Sequence, residues 1–229
     1  MSRAVHDMFA SIAGRYDLTN DVLCLGIHRL WNKTACDAAR FQLGDRVLDL
    51  CTGTGAVARE AAARVGPRGV VFALDFVEQM LTLARDKPRT ETTAPIHYLR
   101  ADAGKLPVSD ANVDAVTIAY GIRNVDDPVD CLTEIHRVLK PGGRVVVLEF
   151  GQPSSPLFGA LFRFYSFHVM PWIGKLLTGN RAAYEYLPKT SAAFPSGVAF
   201  LELMRGAQFR DLAARPLFFG IAFIYSGTK

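Results

Sequence analysis

Val47-Leu48-Asp49-Leu50-Cys51-Thr52-Gly53-Thr54-Gly55 is an apolar run that carries one carboxylate and ends in a turn with two glycines. Glycine allows tight turning and close approach of backbone to a ligand, so the run predicts a buried strand, a compact turn and then a helix. Working outward, short apolar runs alternate with helix-like stretches. Strands are expected at Arg46 to Leu50, Val70 to Leu74, Ile96 to Arg100, Val113 to Ala119 and Arg144 to Glu149, with helices near 55 to 65, 76 to 86 and 129 to 139. This βαβ rhythm, with apolar runs that are buried on both faces, predicts a mostly parallel sheet. Asp127-Pro128 supplies a cap and a first-turn proline for the helix ending near Lys140, and Pro141-Gly142-Gly143 is expected to stop it. Phe209 to Leu217 and Ile221 to Thr228 read as two strands around Phe219-Gly220, an antiparallel hairpin that brings the sheet to seven strands. Before residue 45, Arg3 to Arg15 and Gly26 to Arg40 look helical and are separated by Tyr16-Asp17-Leu18-Thr19-Asn20, which makes an N-terminal helical cap.

The 229 residues suit a single domain that can bury about 70% of its unfolded surface without a staple. It divides into a cap (1–44), a ligand-binding core (45–150), a helical insertion (151–196) and a closing segment (197–229). Half the residues are hydrophobic and 21% are charged, which excludes a disordered or fibrous chain. Cys24, Cys36, Cys51 and Cys131 show no zinc or disulfide spacing, so no metal is expected and a reducing cytosol suits them. Met1-Ser2-Arg3-Ala4 opens no apolar signal region, and Leu157 to Ile173 carries Arg163 and His168 and is too short to span a bilayer. The net charge of +4 is unevenly spread, with eight basic against three acidic residues after Phe150. No basic helix face marks a nucleic-acid binder, but an anionic membrane surface fits that last third.

Gly53-x-Gly55-x-x-Ala58 followed by Asp75 also satisfies a dinucleotide fingerprint. Asp75 ends the second strand, where a carboxylate accepts hydrogen bonds from both hydroxyls of an adenosine ribose, a role common to NAD and S-adenosylmethionine. Two features favour the latter. Asp49 precedes the glycines, where its charge would help hold a cationic methionine moiety and oppose a pyrophosphate. Asp102, in Ala101-Asp102-Ala103 after the third strand, would reach the adenine amino group.

The chain resembles class I methyltransferases, and more closely the C-methyltransferases of menaquinone and ubiquinone biosynthesis. The resemblance runs nearly end to end. It is carried by Phe9 to Asp17, Asn20-Asp21, Gly26-Ile27-His28-Arg29-Leu30-Trp31, Gly121-Ile122-Arg123-Asn124-Val125, Arg137 to Gly143 and Phe164-Tyr165-Ser166-Phe167-His168. It implies a Rossmann-like fold and S-adenosylmethionine contacts at Gly53, Thr54, Gly55, Asp75, Asp102, Ala103 and Ala119. Ala119 stands where the family often has serine, and Ala56 where it usually has aspartate. The implied reaction is C-methylation of a prenylated quinol, demethylmenaquinol first, with a ubiquinone-pathway benzoquinol or both as the alternative.

Such chemistry needs a stabilised phenolic oxyanion and a proton acceptor. Arg123, after the fourth strand on the carboxyl edge of the sheet, is the leading catalytic candidate. A guanidinium is a poor base, so oxyanion stabilisation is its expected role. Asn124, Tyr165 and His168 are further catalytic candidates, and Tyr16, His28 and Tyr120 are expected to line the quinol pocket with Arg123. His6, His97 and His136 read as packing residues. An NAD-dependent oxidoreductase and a non-catalytic scaffold of a biosynthetic complex are the rival functions. Leu157 to Trp172 reads as a mobile helical lid with two apolar sides, one stripe comprising Leu157, Leu161, Tyr165, His168 and Trp172. Ser154-Ser155-Pro156 reads as a flexible lead-in, and Pro171 and Gly174 as a loosened exit. The prenyl tail, lipid at the inner face of the membrane or a second copy of the chain would cover the outer side.

Overall fold

The computed structural model describes residues 3–88 and 93–229. Seven strands form one sheet: β1 (Arg46–Leu50), β2 (Val70–Asp75), β3 (Ile96–Arg100), β4 (Val113–Ala119), β5 (Leu139–Phe150), β6 (Arg210–Leu217) and β7 (Ala222–Thr228). Their order is β3-β2-β1-β4-β5-β7-β6, with β1 to β5 parallel and β7 antiparallel to both its neighbours. The final strand therefore lies inside the sheet, between β5 and β6.

Ten α-helices accompany the sheet among the described residues: α1 (Arg3–Ile12), α2 (Tyr16–Leu23), α3 (Ile27–Ala39), α4 (Ala56–Val65), α5 (Glu78–Asp86), α6 (Pro128–Val138), α7 (Pro156–Phe164), α8 (Met170–Thr178), α9 (Arg181–Ala193) and α10 (Val198–Gly206). Alternate strand residues meet different helices. Leu48 and Leu50 pack with Leu132, Ile135, Phe200 and Met204 of α6 and α10. Val47, Val71 and Ala73 meet Ala58, Ala61 and Val65 of α4, while Trp31, Ala35 and Ala39 of α3 cover Val146, Leu148 and Ile224. Both faces of the central strands are thus closed, which is why β1, β4 and β5 carry buried apolar runs.

Three expectations are corrected. Tyr16 to Asn20 does not separate helices; it begins α2, and the chain breaks at Leu25 and Gly26, both left-handed at φ 47° and 73°. Arg29 pairs with Asp21 across that break. Helix α6 starts as expected, with Asp127 accepting from the Val129 N–H at 2.7 Å, but it stops at Val138. Leu139 already pairs with Val113, and Lys140 to Gly143 bulge out before Arg144 resumes pairing with Ala115.

The third correction concerns the helical insertion. Ser155 caps α7 by accepting from Phe158 N–H, and Pro156 fills its first turn, so Ser154-Ser155-Pro156 is a helix start and not a loose lead-in. Helix then continues through a π-helical turn, Tyr165–Val169, into α8, which ends only at Thr178. Pro171 sits in the first turn of α8 directly after the widened turn, where its missing N–H does least damage. Gly174 is a packing slot, because a Cβ there would lie 2.2 Å from the Tyr184 ring of α9. No helix among the described residues is long and apolar enough to cross a membrane.

Candidate active site

Strand order reverses between β1 and β4, and in open α/β sheets ligands bind outside the carboxyl ends of the strands at that point. Both strands leave the sheet through left-handed non-glycine residues, Cys51 at φ 51° and Tyr120 at φ 56°. Strain of this kind persists where surrounding structure enforces it and clusters at functional sites. Gly121 makes the juxtaposition feasible, since a Cβ on it would lie 2.3 Å from the Cys51 Cβ.

A small pocket opens at this place, lined by residues that include Cys51, Asp75, Phe76, Asp102, Ala103 and Asn124. Gly53 and Gly55 are left-handed, at φ 54° and 76°, and shape the turn beside it. Asp75 pins that turn, accepting from the Gly53 N–H at 2.8 Å and the Val77 N–H at 2.9 Å. Burial raises its carboxyl above the ordinary range, against lowering by these backbone donors. Asp102 accepts from the Gly104 N–H at 2.9 Å, and Arg100 lies over the Phe76 ring at 5.6 Å. Asp75 and Asp102 thus line one pocket together with the apolar side chains of Leu50, Phe76 and Val125.

Asp49 takes a different place from the one expected of a direct ligand. It is 1% exposed and does not line the cavity; Thr52 and Thr117 donate to its two oxygens at 2.6 and 2.7 Å. It therefore acts on the glycine turn through Thr52. Burial raises its carboxyl to about 6 from 3.8, although both threonines pull it down. Between roughly pH 4 and 6 the native state holds a proton that the unfolded chain has released. Stability should fall as pH rises through that window, by about 3 kcal/mol once Asp49 is fully ionised. Urea unfolding of Asp49→Asn beside the parent at pH 4.5 and 7.5 measures this, with the parent losing ground at the higher pH; parallel profiles would remove the effect.

Thr54 donates to Asp17 of α2 at 2.6 Å, and Lys87 pairs with the other oxygen of Asp17. The cap is thereby tied to the glycine turn. Ala119 packs toward the α3 side and does not line the cavity.

Arg123 and Asn124 lie on the short helical turn after β4, beside the cavity. The Arg123 side chain is 4% exposed; its Nη1 donates to Glu149 Oε1 at 2.6 Å and to the Tyr120 carbonyl at 2.7 Å. Its guanidinium and the Tyr120 ring both lie on Phe150, at 5.2 and 4.8 Å. Asn124 Oδ1 accepts from the Tyr186 hydroxyl at 3.1 Å. Tyr16 packs against the cap and α5, beside Ile12, Val77, Met80 and Tyr184. Burial lifts the phenols of Tyr16 and Tyr120 above the ordinary range, Tyr120 furthest, so both are hydrogen-bond donors at neutral pH. Two donors in this group are buried without a partner among the described residues: the Tyr120 hydroxyl and Arg123 Nε.

Tyr165 turns inward and donates to the Leu23 carbonyl at 3.0 Å, fastening the π-helical turn to α2. His168 stays outside the cluster, exposed and lying against Phe164 at 5.2 Å. His28, held below its ordinary value by burial, turns Nε2 toward Asp21 at 3.6 Å. Glu149, Tyr186 and Asp17 were not singled out in the sequence. A lone carboxylate ending the apolar run Val145 to Leu148 was the available signal for Glu149.

The model of the ubiE/COQ5 methyltransferase family matches residues 1–229. The chain belongs to that family. A demethylmenaquinone methyltransferase of Deinococcus radiodurans is 48% identical over 227 residues, covering 99% of this chain and 93% of the relative. The ubiquinone/menaquinone biosynthesis C-methyltransferase UbiE of Bdellovibrio bacteriovorus is 45% identical, covering 98% and 95%. Among solved structures, an S-adenosylmethionine-dependent methyltransferase of Thermotoga maritima superposes with a TM-score of 0.68 at 21% identity, covering 97% of this chain and 99% of its own, and shares the fold. This protein is an S-adenosylmethionine-dependent methyltransferase, and the NAD reading of the glycine turn falls away.

Proposed function

We propose that this methyltransferase transfers a methyl group to a ring carbon of a reduced, prenylated quinol, with demethylmenaquinol as the leading substrate, at the surface of a membrane. The observation that carries the chemistry is the pair of orphaned donors, Tyr120 hydroxyl and Arg123 Nε, buried together on Phe150 beside the cavity. Leaving such donors unsatisfied costs about 1 to 3 kcal/mol each, a cost that a quinol oxygen would remove. The full-length relatives named for menaquinone biosynthesis support the substrate class.

When bound, S-adenosylmethionine supplies an electrophilic methyl group on a sulfonium. Asp75 would hold the ribose hydroxyls and Asp102 and Ala103 the adenine, with Gly53 and Thr54 forming the turn beside them. Arg123 and Tyr120 hold negative charge on the quinol oxygen as its proton passes to water; the ring carbon would then take the methyl group as the methyl–sulfur bond breaks, leaving a neutral thioether. The ring proton leaves to water, aromaticity returns and the phenolic oxygen takes back a proton. Tyr16 and Asn124 set the ring between Arg123 and the cavity, so catalysis is mostly positioning and charge stabilisation. Methyl transfer assayed with both reduced head groups, naphthoquinol and benzoquinol, tests the reading. Turnover of neither would end it, and a preference for the benzoquinol would reverse the substrate assignment.

The membrane reading rests on the outer side of α7 and α8. Leu157, Leu161, Phe164 and Trp172 are 85, 65, 59 and 57% exposed, and Phe158 joins this stripe to Phe219 at the β6–β7 tip, 5.2 Å away. Lys175 and Arg181 lie over the Trp172 ring at 5.4 and 4.6 Å. An aromatic ring flanked by cations beside an apolar stripe suits an anionic bilayer surface. Leu161→Glu combined with Phe219→Glu should abolish sedimentation with anionic vesicles while leaving methylation of a short-chain quinol intact. Conversion of a dimer to a monomer by the same substitutions would assign this face to a second copy instead.

A further inference from the structure

We infer that Glu149 is a positioning residue for methyl transfer, acting through Arg123; this rests on the quinol reading for its kinetic effect but not for its structural one. Glu149 is fully buried at the end of β5, and its carboxylate is surrounded by donors: Arg123 Nη1 at 2.6 Å, the Phe150 N–H at 2.8 Å and the Arg123 N–H at 3.4 Å. The two backbone donors orient the carboxylate, and the carboxylate in turn fixes the guanidinium. With Nη1 taken by Glu149 and the Tyr120 carbonyl, Arg123 Nε is a buried guanidinium donor left over among the described residues, beside the Tyr120 hydroxyl. A single strand end thus decides which edge of the arginine is offered to a ligand.

Removing a carboxylate from a buried pair leaves an uncompensated guanidinium, which relaxes toward other partners. Gln would keep the size of Glu149 but bring an NH₂ group against N–H donors. Asp would keep the charge but fall one methylene short of Nη1. Either change should displace the guanidinium by about an ångström, which is enough to cost on the order of 100-fold in rate.

Glu149→Gln and Glu149→Asp would each be made alone and with Arg123→Ala in the full chain. Single-turnover methyl transfer to reduced quinol should fall 10- to 100-fold in either single variant, with S-adenosylmethionine affinity within twofold of the parent. In the Arg123→Ala background, the same changes should cost no further turnover, and Glu149→Gln should raise the melting temperature of Arg123→Ala by removing its orphaned carboxylate. A second reading needs no substrate: ¹⁵N spectra should show the Arg123 Nε–H as a protected resonance in the parent and broadened or shifted in both single variants. If Gln disrupts folding, Asp carries the comparison. Parental turnover in a folded variant, losses that multiply in the double variant, or an unmoved Nε–H resonance would each overturn the inference. Failure of the parent to methylate any quinol would instead strike the proposed function, leaving the resonance to decide the role of Glu149.

Discussion

Arg123→Ala is expected to lower single-turnover methyl transfer to reduced quinol by about 100- to 1000-fold, the loss typical of one oxyanion donor. The affinity for S-adenosylmethionine should stay within about twofold, because Arg123 does not line the cavity. A stability loss accompanies this change. Glu149, buried and aimed at Nη1, loses its ion-pair partner, and breaking a buried pair from one side costs roughly 3 to 5 kcal/mol. Urea titration therefore has to establish the folded fraction before rates are compared. Arg123→Lys keeps the charge but loses the planar fork that binds Glu149 and the Tyr120 carbonyl together, so its rate should fall between alanine and parent. A folded alanine variant with parental turnover would end the oxyanion role.

Asp75→Ala should weaken S-adenosylmethionine binding by about 10- to 150-fold, corresponding to roughly 1.5 to 3 kcal/mol for a lost charged hydrogen-bond acceptor. Two effects combine in that figure. The ribose hydroxyls lose an acceptor, and the Gly53 and Val77 N–H groups lose the carboxylate that pins them. Asp75→Asn separates the two, since it keeps the shape and one acceptor oxygen; its affinity should be intermediate. Calorimetry on folded protein is the measurement, and unchanged affinity for the alanine variant would remove Asp75 from the site.

The parallel core and the glycine turn were legible because each is written in a short stretch. Apolar runs of strand length, punctuated by Gly53, Gly55 and Gly143, leave few other arrangements. The position of Asp75 and Asp102 at strand ends was legible for the same reason, and the fold brings them to one pocket. The cap was less so. Tyr16 to Asn20 looked like a separator because its residues suit turns as well as helices, and the packing of Tyr16 against Ile12, Val77 and Tyr184 settled the matter. In the insertion one residue leaves the expected stripe: Tyr165 turns to α2 where the helix widens, while Phe164 and His168 stay exposed.

Local sequence by itself determined the alternation of strands and helices and the glycine turn at the carboxyl edge of the sheet, because backbone preference and apolar period act over a few residues. The tertiary structure decided which polar groups share a dry interior. It placed β7 between β5 and β6, because a hairpin can dock on a sheet by either strand and only the packed faces choose. It brought Glu149 to Arg123 across 26 residues, Asp17 to Thr54 across 37 and Thr117 to Asp49 across 68. A buried charge must be partnered wherever it lies, and that partner is chosen by the folded geometry, not by distance along the chain.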